Sequence, residues 1–139
     1  MHCVLDSSVA LVWVLPGEAT PATETLLTAV GELGAAAPGL WPLETANALL
    51  MAERRGRLSL AERTQALTLL AELPIQIDAR TAELALSATV ALAAGREMTV
   101  YDACYLELAL RLGLPLASLD QRLCQAARSA GVDLMVASR

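Results

Sequence analysis

Short apolar runs alternate with longer segments of helical periodicity along the whole chain. Runs of this length, separated by helical segments, predict a parallel sheet whose two faces are both covered by helices. The predicted strands are Cys3–Leu5, Ala35–Ala37, Ile75–Ile77, Leu114–Leu119 and, as a further candidate, Leu134–Val136. The expected fold class is therefore α/β: a three-layer α/β/α domain with a short central sheet of about four or five parallel strands and about seven flanking helices.

Several helix ends carry capping signals. Pro21 suits the first turn of a helix predicted over Thr20–Val30, and Pro42 opens a helix that runs to about Arg55. Ser59-Leu60-Ala61-Glu62 is a capping box that starts another helix. Four other helices are predicted. One can begin at Asp6-Ser7-Ser8, and one runs from about Arg80 to Ala94 with Asp78 as a cap. The last two cover Thr99–Leu112 and Asp120–Ala130. No repeat or linker interrupts this order, so residues 1–139 are expected to form one domain.

The composition argues against a membrane protein. The chain is 55% hydrophobic, yet its longest uninterrupted apolar stretch, Val9–Leu15, is far too short to span a bilayer. The three cysteines are odd in number and lack the spacing of a metal site, and His2 is the only histidine. We therefore expect a cytoplasmic protein with reduced core cysteines and no Cys/His zinc site.

The charged residues narrow the enzyme classes. All ten basic residues are arginine. P-loop nucleotide hydrolases use a lysine on the phosphates. Phosphoaspartyl receivers and haloacid-dehalogenase-type phosphatases also use a lysine, so all three classes are disfavoured. The net charge of −5 argues against tight nonspecific binding of nucleic acid through a basic face. It does not argue against a nuclease whose metal ions supply the positive charge.

Three of the five aspartates, Asp6, Asp102 and Asp120, stand directly against apolar segments at strand-to-helix or loop-to-helix junctions. Taken singly, Asp6 and Asp120 can be explained as N-caps, and Asp102 as the fourth member of a Thr-x-x-Asp capping box. In a parallel sheet covered by helices, however, ligands gather beyond the carboxyl ends of the strands. These aspartates therefore become candidates for one shared site.

Glu44 falls in the first turn of the helix opened by Pro42, where the helix dipole favours a carboxylate. Asn47, the only asparagine, lies three residues later and shares a helix face with it. The surrounding apolar residues predict a largely buried helix, in which both polar side chains need partners. A metal site or a loop backbone would supply them.

Four carboxylates that converge at one end of a sheet repel one another unless a cation sits among them. Hard divalent cations take oxygen ligands, and Mg²⁺ typically keeps waters and uses only one or two carboxylates directly. The remaining carboxylates can hold those waters or a second ion. Such an arrangement suits the hydrolysis of a phosphodiester.

Four acidic segments follow one another along the chain: Val4–Val9, Pro42–Leu49, Thr99–Ala109 and Leu116–Leu123. Their order and residue patterns resemble the PIN-domain family, and within it the VapC-type toxins of bacterial toxin–antitoxin pairs. The third segment is the closest match, since its Tyr-Asp-Ala-Cys-Tyr-Leu is similar to the family's Tyr-Asp-Ala-x-Tyr-Leu pattern. The resemblance extends from Cys3 to about Val136.

The resemblance implies a metal-dependent endoribonuclease that hydrolyses a structured RNA such as tRNA or rRNA with metal-activated water. The catalytic residues and ligands of Mg²⁺ or Mn²⁺ would be Asp6, Glu44, Asp102 and Asp120. Ser7, Asn47 and Ser118 are expected to support these carboxylates, and Arg96 and Arg122 to contact the substrate. Some family members carry an extra acid just after the fourth position, where this chain has Gln121 and Arg122. One metal ion is therefore expected rather than two.

The same resemblance implies a homodimer and a cognate antitoxin protein as partners. One alternative is a non-catalytic PIN-like module that binds RNA or protein. It is disfavoured because a domain without chemistry has no reason to keep clustered, repelling charges. Another is a different acidic-site phosphotransfer enzyme on a similar sheet, against which the absence of lysine weighs.

Overall fold

A parallel sheet forms the centre of the computed structural model, which describes residues 1–135. Its five strands are β1 Val4–Leu5, β2 Ala35–Ala37, β3 Ile75–Ile77, β4 Leu116–Ala117 and β5 Leu134–Met135. They lie in the order β3-β2-β1-β4-β5, and every neighbouring pair is parallel, as predicted. Strand β4 is shorter than the apolar run that predicted it, and Val136 of the predicted last strand lies outside the described residues.

Seven helices accompany the sheet within residues 1–135. They are α1 Ser7–Val14, α2 Pro21–Leu33, α3 Trp41–Arg54, α4 Leu60–Glu72, α5 over residues 81–95, α6 Val100–Leu112 and α7 Gln121–Ser129. The predicted capping box of α4 is confirmed, because the Glu62 N–H donates to the Ser59 hydroxyl and the Ser59 N–H donates to the Glu62 carboxylate. The α/β fold class is thereby confirmed.

Helix α5 departs from the prediction in two ways. It consists of α-helical Thr81–Leu84, π-helical Ala85–Thr89 and α-helical Val90–Gly95. Asp78 does not cap it, because no side-chain bond caps this helix. The Asp78 carboxylate accepts hydrogen bonds from Arg111 Nη1 and Nη2, at 3.1 and 2.7 Å, and from the Thr81 hydroxyl at 2.9 Å. Asp78 therefore contacts a side chain at the start of α5 without capping its backbone, and its charge pairs with an arginine of α6.

The strand order reverses between β1 and β4. The chain moves outward from β1 to β2 and β3, then crosses back to β4 and continues to β5. Because such crossovers are right-handed, the two directions of travel place helices on opposite faces of the sheet. Accordingly, α1 contacts α2 and α3, and α3 contacts α4, whereas α5, α6 and α7 form a second series of contacts. Ligands of doubly wound sheets bind at such a reversal, beyond the carboxyl ends of the strands.

The core is built around the three inner strands, since β1, β2 and β4 are buried. Cys3, Cys104 and Cys124 are buried and form no disulfide, as expected. Burial raises the pKa of the Cys3 thiol to about 11 and that of Cys104 to about 12, so both stay protonated at neutral pH. None of the helices in residues 1–135 is both long and apolar enough to cross a membrane.

Candidate active site

Asp6 and Ser118 are neighbours because β1 and β4 pair in parallel. Leu5 lies opposite Ala117 in the register, so the residues that follow the two strands meet at the edge of the sheet. The Asp6 N–H donates to the Ala117 carbonyl at 3.0 Å. The Ser118 hydroxyl donates to Asp6 Oδ2 at 2.7 Å. Strand register thus brings together two side chains that are 112 positions apart in sequence.

A second hydroxyl, that of Ser8, donates to the same Asp6 Oδ2 at 2.7 Å. Each hydroxyl is in turn held by a backbone N–H at 3.0 Å, Ser8 by Leu119 and Ser118 by Asp120. A hydroxyl has one proton to donate, and both are committed to Asp6. Although Asp6 stands at the N-cap position of α1, its side chain makes no cap bond. Its carboxylate is therefore oriented by the two hydroxyls and not used as a helix cap.

Glu44 lies in the first turn of α3 and is half-buried. The Tyr105 hydroxyl, on α6, donates to Glu44 Oε1. The Tyr105 side chain is only 1% exposed, so the packing of its ring fixes the position of the hydroxyl. This bond ties α3 to α6 and orients the Glu44 carboxylate.

Asp102 and Asp120 begin two further helices. The Asp102 N–H donates to Oγ1 of Thr99, the N-cap of α6, at 3.1 Å, and the Asp102 residue is half-buried. Asp120 is exposed and caps α7, since Oδ1 of its carboxylate accepts from the Leu123 N–H at 3.1 Å. The capping explanation therefore holds for Asp120 and not for Asp6.

The four carboxylates lie close enough to repel one another. Burial, the largest cause, raises the pKa of Asp6, and the charge of Asp120 raises it further, although hydroxyl bonds lower it. Burial also raises the pKa of Glu44, with added repulsion from Asp6 and Asp102. The pKa of Asp102 is raised by burial and then by Asp120 and Asp6. Within the described part of the chain, no arginine forms a salt bridge with any of the four.

Carboxylate oxygens supported by hydroxyls are the donor set that a hard divalent cation prefers. Among residues 1–135, no three acidic, cysteine or histidine side chains stand close enough to bind one ion together. Since Mg²⁺ usually keeps several waters and takes only one or two carboxylates directly, this spacing fits a hydrated ion. Asp6 and Asp102 could hold such an ion directly, and Glu44 and Asp120 could act through its waters.

The predicted supporting residues differ in their contacts. Ser7 acts through its backbone N–H, which lowers the pKa of the Asp6 carboxyl. Asn47 is exposed, and Leu43 is 72% exposed, so the expectation that this turn of α3 is largely buried was wrong. The Asn47 amide needs no buried partner, because it lies on the outward-facing side of α3.

Sequence reasoning missed Ser8 and Tyr105. Ser8 follows Asp6 by two positions, a spacing at which a hydroxyl can reach the preceding carboxylate. Tyr105 follows Asp102 by three positions on a helix, so the two residues share a face. Arg96 and Arg122 line the same cleft as Asp102, and the charge of Arg122 offsets part of the rise in the pKa of Asp102.

Known proteins share this sequence pattern and this fold. The family model described as PIN domain matches residues 3–129, which include all four carboxylates. A crystal structure of PAE2754 from Pyrobaculum aerophilum has a similar fold, with a TM-score of 0.71 and 21% sequence identity, covering 96% of this chain and 89% of that chain. No curated protein matches this chain. Because the family model spans most of the sequence, the chain belongs to the PIN-domain family.

Proposed function

We propose that this chain is a metal-dependent endoribonuclease whose active site consists of Asp6, Glu44, Asp102 and Asp120. PIN domains are typically nucleases and generally use divalent metal ions. One observation on this chain carries the proposal: burial and mutual repulsion raise the pKa of three of these carboxylates, and no arginine of residues 1–135 pairs with them. A cation among these carboxylates would stabilise their ionised form.

Each carboxylate has a distinct role in this proposal. Bound Mg²⁺ or Mn²⁺ supplies the positive charge and Lewis acidity that phosphodiester hydrolysis needs. Asp6 and Asp102 hold one ion, with Asp6 oriented for it by Ser8 and Ser118. Glu44, fixed by Tyr105, accepts a hydrogen bond from the attacking water and aims it at phosphorus. Asp120 uses the carboxylate oxygen not engaged in capping to hold water at the site.

The substrate is RNA, and the two arginines beside Asp102 contact its backbone. Water adds to phosphorus, the bond from phosphorus to the 3′ oxygen breaks, and that oxygen takes a proton. The products are a 5′-phosphate and a 3′-hydroxyl, as hydrolysis by external water requires. By resemblance to VapC-type toxins, the target is a structured RNA such as tRNA or rRNA.

We further propose that the chain is the toxin of a VapBC-type pair, acting in the cytoplasm as a homodimer and inhibited by a cognate antitoxin. The motif resemblance supports this, and so do two large side chains beside the carboxylates, Leu43 and Tyr101, which are 72% and 65% exposed. Apolar surface of this kind is suited to contact with a partner protein. A short reading frame immediately upstream that encodes a DNA-binding N-terminus would support the toxin role.

The nuclease proposal is tested with the purified chain and a mixed tRNA and rRNA substrate. Cleavage is expected with Mg²⁺ or Mn²⁺, none with EDTA, and the new ends should carry a 5′-phosphate. RNA binding without cleavage under any divalent ion would favour the alternative, a non-catalytic PIN-like binding module. Binding of neither RNA nor a divalent ion would reject the nuclease and the RNA-binding module, and would leave only a protein-binding module.

A further inference from the structure

A cleft of about 270 Å³ opens beside Asp102, between the loop that precedes α6 and one face of α7. The loop contributes Arg96 and Glu97, and α7 contributes Arg122, Gln125 and Ala126. Helix positions three and four apart share a face, so the α7 side chains line one wall together. The cleft therefore continues the carboxylate site along α7.

Neither arginine of this cleft is paired with a carboxylate within the described part of the chain. The arginines that form salt bridges there are Arg57, Arg63, Arg80 and Arg111. Arg96 Nη1 donates to Ser129 Oγ at 3.1 Å, which anchors this guanidinium to α7 and leaves its other N–H groups to a ligand. Arg122 lies near enough to Asp102 for its charge to lower the pKa of that carboxyl. In a chain of net charge −5, two unpaired guanidinium groups in one cleft point to an anionic ligand.

The charges of the cleft link anion binding to the metal ion. Glu97 and Asp102 also line the cleft, so two carboxylates balance its two arginines. The cleft is therefore neutral until a divalent cation joins Asp102, after which it is positive. An anion in this cleft and a cation at Asp102 would each favour binding of the other, and both sites share Asp102 in their lining.

We propose that Arg96 and Arg122 form a subsite for phosphodiester groups that flank the scissile one in the RNA strand. This inference rests on the proposed ribonuclease function. The planar guanidinium fork matches the oxygens of a phosphate. Arg122 and Ser129, the anchor of Arg96, are seven positions apart on α7, roughly 10 Å along the helix. The two guanidinium groups are thus spread along a path, with Arg122 at the nearer flanking phosphate and Arg96 at a more distant one.

The test crosses protein variants with substrate variants. Single methylphosphonate linkages, which carry no charge, are placed one at a time along an RNA oligonucleotide that the wild-type chain cleaves. At one linkage beside the cut, loss of the charge is expected to lower the wild-type kcat/KM about tenfold or more. The same linkage should cost Arg122→Gln little, because its contact is already lost. Arg96→Gln should lose sensitivity at a linkage farther from the cut.

Arg128→Gln is the matched control. Arg128 is an exposed arginine on the same helix, six positions after Arg122 and therefore on another face, and it should keep the wild-type pattern. The Kd for Mn²⁺ should not be weakened in Arg122→Gln, which separates the subsite from damage to the metal site.

Three outcomes would overturn the subsite. In the first, each uncharged linkage lowers the kcat/KM of Arg122→Gln by the same factor as that of wild type. In the second, Arg122→Gln is less active than wild type by the same factor whichever linkage is uncharged. In both cases the ribonuclease function stands and only the subsite falls. If the wild-type chain cleaves no RNA, the proposed function falls and the subsite falls with it.

Discussion

Two groups of carboxylates in this molecule are built in opposite ways. Arg111 donates two hydrogen bonds to Asp78 and two more to Glu107 on its own helix, and the Asp78 pKa lies below its ordinary value chiefly because of Arg111. Asp6 and Asp102, in contrast, form no salt bridge with an arginine of residues 1–135. Burial and repulsion by neighbouring carboxylates raise the pKa of both.

On the proposed function, the difference separates carboxylates that support the fold from carboxylates that would bind a metal ion. Arg111 joins the end of β3 to α6, and the group carries its own cation, so it stabilises the chain without any ligand. The site carboxylates should destabilise the chain at neutral pH, and a bound cation would relieve their repulsion. Removing one charge from each group should therefore have opposite effects on activity and on stability.

The largest effect is expected from Asp102→Asn. Loss of a direct ligand should lower RNA cleavage by more than about 100-fold, the upper end for a group that only supports a ligand. The metal-free variant should unfold at the same Tm as wild type or higher, because a repelling charge is gone. Cleavage assays paired with thermal unfolding in EDTA check both results. A folded Asp102→Asn chain with full activity would exclude Asp102 from the active site.

Arg111→Gln should give the reverse pattern. It leaves Asp78 and Glu107, whose side chains are 11% and 12% exposed, without their cation. Charged hydrogen bonds of this kind contribute about 2 kcal/mol after allowance for partial exposure, which lowers Tm by several degrees in a chain of this size. Cleavage measured well below Tm should stay near the wild-type rate. An unchanged Tm would show that this group does not support the fold.

Tyr105→Phe removes the neutral donor that orients Glu44 and keeps the ring in the core. Loss of a group that supports a metal ligand lowers activity or metal affinity by about 10- to 100-fold. For Tyr105→Phe we expect a loss of activity of about tenfold, because Glu44 is not placed as a direct ligand. The decrease should fall on kcat, with the KM for RNA little changed, since the hydroxyl touches no substrate. A fall in Tm that accounts for the whole loss of activity would point to packing instead of orientation.

The stability of the metal-free chain should decrease as pH rises. The folded-state pKa values of Asp6, Glu44 and Asp102 lie above the ordinary values of 3.8 and 4.5. The folded chain therefore holds protons that the unfolded chain has released, and the free energy of unfolding falls as pH rises through this window. Asp78 acts oppositely, since its stabilisation is present above 3.8 and is lost on acidification.

Thermal unfolding in EDTA across the acidic to neutral range measures this dependence. Asp102→Asn should flatten the decline, and saturating Mg²⁺ should reverse it at neutral pH, by about 2.7 kcal/mol when the ion is at 100 times its Kd. A metal-free Tm that rises steadily with pH would contradict the assigned pKa directions.

The sequence predicted the fold and the junction residues well, because both depend on local patterns. Apolar runs between helices specify a parallel sheet, and Asp6 and Asp120 follow two of those runs directly. The hydrogen-bond partners of the side chains could not be predicted, because the fold brings together residues that are far apart in sequence. Tyr105 and Glu44 are 61 positions apart, and Arg111 and Asp78 are 33 apart.

The errors have the same origin. Asp78 was predicted as a helix cap because the helix from about Arg80 follows it directly, but its carboxylate binds the guanidinium of Arg111 and the Thr81 hydroxyl and caps no backbone N–H of that helix. Asn47 was taken as buried from its apolar neighbours, although the direction in which a helix faces depends on packing that one sequence does not reveal. The π-helical segment Ala85–Thr89 has no sequence feature that we can identify.

Titration of the metal-free chain with Mn²⁺ by calorimetry, carried out in parallel on Asp102→Asn and Asp78→Asn, tests the metal site most directly. Wild type and Asp78→Asn should each bind one ion, with a Kd of about 1 mM or tighter. Asp102→Asn should bind at least about tenfold more weakly. Equal binding by wild type and Asp102→Asn, or no binding by wild type, would contradict the assignment of the carboxylate cluster as a divalent metal site.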